Sequence, residues 1–193
     1  MAYKNGNYAA FYVADEELVT KNPLNAHFVK DFNYYQLLKA WKEKDSSFPF
    51  NDSHEKTYSV RDTSNWDTLK GRLRERLNNS KNIILFLSEN TTPSRALNEE
   101  IEYAIDHLEL PLIIIYTDSK SVDEIFYEKN DKYYLSQSVI DLQKRLPVLK
   151  DCRNKVPCLH VPLRKEIITK ALSNKNFMLA TKRDSGNYIY TAD

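Results

Sequence analysis

The chain has 193 residues, 41% of them apolar, with three glycines and seven prolines. That composition excludes a disordered chain, and the length suits one generous domain or one domain with an appendage. Its 28 basic and 27 acidic side chains give a formal charge of +1, which supplies no electrostatic case for a nucleic-acid or anionic-membrane partner.

Taken in chain order, "YAAFYVA" near 8–14 is a short aromatic-rich apolar run and predicts a buried strand. A polar loop with Pro23 follows. "FVKDFNYYQLLKAWKEK" has helical spacing through Phe28, Phe32, Tyr35, Leu38 and Trp41. "SSFPFNDSHE" predicts a short edge strand, because Pro49 lacks the donor that a central strand needs. After a long polar loop, "NWDTLKGRLRERL" carries Trp66, Leu69, Leu73 and Leu77 in one stripe, and "NNS" stops the helix.

"KNIILFLSEN" and "PLIIIYTD" are continuous apolar runs, the mark of strands covered on both faces. Between them "TTPSRALNEEIEYAI" predicts a helix. From 119 to 150, "SVDEIFYEK" and "SQSVIDLQKRL" read as short helices around a Tyr-rich connection. "KVPCLHVP" predicts a last strand and "LRKEIITKAL" a last helix, and the tail from 176 shows no clear period. The expected division is a domain over 1–175 and a C-terminal extension over 176–193.

Five alternations of strand and helix argue for an α/β fold around a mostly parallel five-stranded sheet. The apolar runs fall third and fourth, and the Pro-bearing strand belongs at an edge. The flavodoxin-like order 2-1-3-4-5 meets both demands. It places a ligand beyond the carboxyl ends of strands 1 and 3, at "VADE" and "LSENTTPS". With three glycines there is no Gly-rich phosphate cradle. "SENTTPS" nevertheless offers backbone N–H groups at a helix start, which suits a phosphate. Cys152 and Cys158 have only His160 nearby, so two reduced thiols are expected and no metal site. No apolar run approaches the ~20 residues of a membrane span. Without a secretory leader the expected location is the cytoplasm.

The stretch 91–105, read as a helix, carries two adjacent glutamates. At about 100° per residue, Leu97, Ile101, Ala104, Ile105 and Leu108 form the core stripe. Glu99 lies opposite that stripe and is expected to be solvated. Glu100 lies at its shoulder, about 80–90° from the centre, at the rim of the predicted crevice. A glutamate in the first turns of a helix also favours the macrodipole and needs no further purpose.

Three stretches in this order resemble the TIR domain family, in the bacterial branch that includes the Thoeris anti-phage defence TIR proteins. They are "DFNYYQLLKAW", "FPFNDSHE" and "LFLSENTTPSRALNEEIEYAI", and the resemblance covers roughly 8–117. In that family a Trp stands four residues before the catalytic glutamate and an isoleucine follows it. The match makes Glu100 the catalytic carboxylate and puts Ala96 where the family has Trp. The resemblance implies cleavage of the nicotinamide–ribose bond, with NAD as substrate and no cofactor. It also implies an ADP-ribose-derived product, a cyclic isomer or a conjugate with a small-molecule acceptor, that signals to a separate effector. A homo-oligomer is expected in the active state. The expected NAD-binding residues are Phe11, Tyr12, Asn51, Asp52, His54, Arg95 and Ala96. Phe11 and Tyr12 fit the core equally, and His54 and Arg95 fit plain surface positions. The alternatives are a TIR scaffold without catalysis, for which Ala96 speaks, and a flavodoxin-like nucleotide binder, for which only the fold speaks.

Overall fold

A computed structural model describes residues 4–11, 30–54 and 66–190. Strand β1 (Gly6–Ala10) is followed, in the described chain, by helix α1 (Lys30–Lys44) and helix α2 (Trp66–Asn78). Then come β2 (Ser80–Leu87), α3 (Arg95–Glu102), a π-helical turn over Tyr103–His107, and β3 (Leu112–Tyr116). A hairpin of β4 (Phe126–Lys129) and β5 (Lys132–Leu135) leads to α4 (Gln137–Lys144). The short α5 (Cys152–Lys155), β6 (Pro157–Pro162), α6 (Lys165–Ser173) and β7 (Gly186–Ile189) complete the described elements.

The main sheet runs β1-β2-β3-β6-β7, and every pairing in it is parallel. β2 and β3 are buried along their whole length: the apolar runs 83–87 and 112–116 require it there, and Ser80, Lys81 and Asn82 enter the interior as polar residues at the start of β2. Each fully buried Ile or Leu there contributes about 1.5–3 kcal/mol relative to exposure. One face of the sheet packs Tyr8, Leu85 and Ile114 against Leu73, Leu77, Leu97 and Ile101 of α2 and α3. The other packs Ile84, Phe86 and Ile113 against Tyr35, Leu38, Ile168 and Leu172 of α1 and α6.

The expected edge strand is reduced to a single bridge. Asp52 pairs in parallel with Asn7, where Asn7 N donates to Asn51 O at 2.6 Å and Ser53 N donates to Asn7 O at 3.2 Å. Pro49 removes one donor just before it, so a longer ladder cannot form. The segment still holds the outer position beside β1, and the flavodoxin-like order is kept. Its close approach depends on Gly6, where a Cβ atom would come within 2.1 Å of Ser53 Oγ.

Two further readings change. "SVDEIFYEK" is a 3-10 turn over Val122–Glu124 and then β4, not a helix. The Tyr-rich connection is the hairpin itself, turned by Asn130 and Asp131 with φ of 54° and 58°. Both residues tolerate the left-handed region that a two-residue hairpin turn demands. The tail contributes β7, which pairs with β6. Among the described residues, no helix is long and apolar enough to cross a membrane.

Candidate active site

Ser94 caps α3 by accepting from Leu97 N at 3.1 Å, which sets the rotation of the helix from its first turn. Leu97 and Ile101 then face the core, and the two glutamates part company. Glu99 is not solvated as its helical position suggests. Its carboxylate meets Arg74 at 2.7 Å and Lys70 at 3.2 Å, and its side chain is 16% exposed. The reason is tertiary: α2 lies beside α3 and presents two cations one turn apart. Burial alone would raise the Glu99 carboxyl, but the hydrogen bonds from Arg74 and Lys70 outweigh it and hold it below its ordinary value.

Glu100 turns toward β1. Its Oε1 accepts a hydrogen bond from Tyr8 Oη at 2.8 Å. The residue as a whole is half-buried, and its carboxyl is enclosed by protein. Burial drives this carboxyl up to about 8, against the opposing pull of the Tyr8 hydrogen bond and the Arg76 charge. Tyr8 is fully buried. Its phenol is pushed well above the ordinary range by burial first, then by the adjacent carboxylate. The pair therefore holds a proton on Glu100 near neutral pH.

His54 sits against the same tyrosine, with ring centroids 4.7 Å apart. Its Nε2 lies 3.1 Å from Ala9 O, and its Nδ1 lies 3.3 Å from Arg76 Nη1. A carbonyl only accepts and a guanidinium only donates, so the imidazole is neutral, with its proton on Nε2. Burial lowers the His54 pKa, and the Asp52 charge opposes that only in part. Asp52 accepts from His54 N at 2.9 Å and from Tyr35 Oη at 2.5 Å. Phe11 stacks on Tyr35, with centroids 5.1 Å apart, and lies 6.3 Å from His54. The result is an aromatic-walled corner beside β1 that gathers the Glu100 carboxyl, a neutral imidazole and a guanidinium.

Residues 8–122, more than half of the chain, match the family described as "Thoeris protein ThsB, TIR-like domain". The chain belongs to that family. The match begins at Tyr8 and includes Glu100, the two ends of the hydrogen bond that organises the corner.

Within this TIR-like domain, Phe11, Asp52, His54 and Glu100 are brought to one corner by the contacts above. Asn51 is exposed and serves pairing, with its backbone N donating to Asn7 Oδ1 at 2.8 Å. Arg95 is exposed and places its guanidinium 4.0 Å from the centroid of the Trp66 ring. Ala96 is half-buried and packs against the core on the α2–α3 face. Tyr12 lies outside the described residues. Among the described residues no cluster of His, Cys, Asp or Glu is placed to hold a metal ion.

Several donors of the "SENTTPS" loop are spent inside the protein. Ser88 N donates to Thr91 Oγ1 at 2.9 Å, Asn90 N to Ser88 Oγ at 3.1 Å and Glu89 N to Asp118 Oδ2 at 3.1 Å. The buried Asp31 carboxylate then accepts from Ser88 Oγ at 3.2 Å and Thr91 Oγ1 at 2.9 Å. The Ser88 and Thr91 hydroxyls thus tie the loop to α1.

Sequence reasoning misses Tyr8, Tyr35 and Arg76. Tyr8 looks like any strand aromatic, and Arg76 like any cation on an amphipathic helix. Only the spacing of Tyr8 two residues before Ala10, on the face shared with α3, carries a trace of its role.

Proposed function

We propose that this domain cleaves the nicotinamide–ribose bond of NAD, with Glu100 as the catalytic carboxylate. The observation that carries the reading is the enclosed Glu100 carboxyl held by Tyr8 within a ThsB-like TIR segment. The leaving group of NAD is already a pyridinium. It departs with the C–N bonding pair as neutral nicotinamide and needs no acid, unlike ordinary glycoside cleavage with its two carboxyls. A single carboxylate suffices to hydrogen-bond the ribose hydroxyls and stabilise the oxocarbenium charge.

The raised Glu100 fits a substrate-triggered ionisation. A pyridinium near the carboxyl supplies the opposite charge that favours the anion, so Glu100 ionises when its substrate arrives. Tyr8 holds the carboxylate in place, and Phe11, half-buried and backed by Tyr35, offers an aromatic face to the nicotinamide. The ribosyl cation is captured by water, by the adenine of the same molecule or by a small-molecule acceptor. Capture by adenine gives a cyclic ADP-ribose isomer, and capture by an acceptor gives a conjugate. Either product serves as a signal to a separate effector, and a homo-oligomer completes the active state.

The alternative is a TIR scaffold with weak or no catalysis, and Ala96 is the observation that favours it. Chromatography with mass detection separates the two. Purified protein and Glu100→Gln are incubated with NAD, with and without extract of phage-infected cells. Nicotinamide release that is lost in Glu100→Gln is the expected result, and the product mass identifies the acceptor. No release under any condition assigns the domain to binding alone.

A further inference from the structure

A cavity of about 1000 Å³ lies on the β6–β7 side of the sheet, away from β1 and its contact with Glu100. Its floor is β6 and β7, and its roof is the β4–β5 hairpin, α4 and the segment 146–153. Apart from Ile114, every lining residue lies beyond 122, outside the segment that matches the family. Its size falls at the upper end of small-molecule sites.

Three features of the lining point to a ligand. The first is charge: no carboxylate lines the cavity among the described residues, whereas Lys144, Lys150 and Arg153 do. Lys144 is paired with Asp141 at 2.8 Å. Lys150 and Arg153 have no ion pair among the described residues. The second is the rim. Tyr127, Tyr133 and Tyr134 are 50%, 56% and 43% exposed, and Tyr127 and Tyr134 stack with centroids 5.6 Å apart. Such rings form a ready face for another planar group.

The third is a one-way hydrogen-bond chain that runs from α4 through the sheet to the floor. Gln143 Nε2 donates to Tyr116 Oη at 2.7 Å, Tyr116 donates to His160 Nδ1 at 2.8 Å, and His160 Nε2 donates to Asn187 Oδ1 at 3.1 Å. Tyr116 and His160 are buried, so the chain is a fixed polar element in an otherwise apolar wall. It ends at the exposed Asn187 amide, whose Nδ2 hydrogens have no partner among the described residues.

We propose that this cavity is a second small-molecule site, an effector site for an aromatic anion no larger than a nucleotide. The ring stacks at the tyrosine rim, the anion meets Lys150 and Arg153, and an acceptor atom meets Asn187. A phosphate and a carboxylate both satisfy that chemistry. The site bears on Glu100 through its own wall. Leu149 and Cys152 share one core cluster with Leu97, Ile101 and Ala104, and Lys155 of α5 pairs with Asp106 of the π-helical turn at 2.8 Å. A ligand that orders the 146–153 wall therefore steadies the helix that carries Glu100. This does not depend on NAD cleavage.

The test is calorimetric titration of the full chain with four probes: AMP, 4-hydroxybenzoate, adenosine and inorganic phosphate. It is run on the native chain, Lys150→Ala with Arg153→Ala, Ile140→Trp and Glu100→Gln. The expected result is saturable one-site binding of AMP or 4-hydroxybenzoate, with adenosine and phosphate much weaker. Which anion binds tells phosphate from carboxylate. Binding weakens about tenfold or more in the exposed double variant. It weakens in Ile140→Trp, whose larger ring intrudes on the cavity, and it is unchanged in Glu100→Gln. The double variant alters only exposed side chains and keeps the test valid if Ile140→Trp does not fold. Bound ligand also slows amide exchange over 97–107. Absence of saturable binding by either aromatic anion overturns the proposal, as does binding that ignores the double variant or needs Glu100. Saturation without slower exchange in 97–107 overturns the effector role.

Discussion

The Tyr8 hydroxyl donates to Glu100 Oε1 at 2.8 Å across 92 positions of sequence. One partner comes from β1 and the other from the helix that follows β2. Their contact helps set the protonation of the carboxyl that the TIR resemblance makes chemical.

Tyr8→Phe keeps the ring and removes the donor. Glu100 loses a bond that favours its anion, so its pKa rises further. The rate of NAD cleavage, read as kcat/KM against pH, is expected to climb to a plateau above about 8 in the native protein. In the variant the whole limb moves to higher pH, and the rate at neutral pH falls about tenfold or more. An unmoved limb would leave Tyr8 a packing residue only.

Glu100→Gln is expected to stabilise the fold in alkali. The folded carboxyl titrates near 8, against an ordinary value of 4.5. Below 4.5 both states hold the proton and the glutamate costs nothing. Between 4.5 and 8 the unfolded chain has ionised and the folded one has not, so native stability falls as pH rises. Each pH unit in that window costs about 1.4 kcal/mol, and solvent reaching the half-buried residue trims the total, so the ceiling is roughly 4 kcal/mol. Urea denaturation at pH ~5 and pH ~9 should show the variant pulling ahead of the native protein mainly at the alkaline value. Equal gains at both values would place the effect in packing.

His54 should be observed as the Nε2–H tautomer, titrating below the ordinary histidine range. Nitrogen chemical shifts across a pH series test this directly. The sign for stability follows. The folded state resists the proton, so stability is complete above the unfolded value near 6.5 and is lost as pH falls below it. Arg76→Gln frees Nδ1 from a cation, and the titration should then move upward.

Asp31→Asn breaks the tie between α1 and the loop after β2. A neutral amide accepts more weakly than a carboxylate and brings donors that face two hydroxyls. The expected cost is about 1–3 kcal/mol, read as a lower Tm. Amide exchange over 88–94 should rise in the same variant, because Ser88 and Thr91 are both held by Asp31.

Residue order alone determines the apolar runs of β2 and β3 (83–87 and 112–116), their central places and the flavodoxin-like order. Where both faces of a strand are covered the run is apolar, as over 83–87 and 112–116, and that is visible without coordinates. Helical rotation alone also separates Glu100 from Glu99, because the core stripe sets which neighbour stands at its shoulder. What a glutamate meets is a different matter. Glu99 pairs with Arg74 because α2 docks beside α3, and the Glu100 carboxyl is enclosed because Tyr8 reaches it from β1. The reduction of 48–52 to one bridge, the β4–β5 hairpin and the addition of β7 likewise rest on partners that periodicity does not name. Periodicity reports which face of an element is apolar. Burial, pairing and the pKa of Glu100 depend on what packs against that face, and only the tertiary structure decides it.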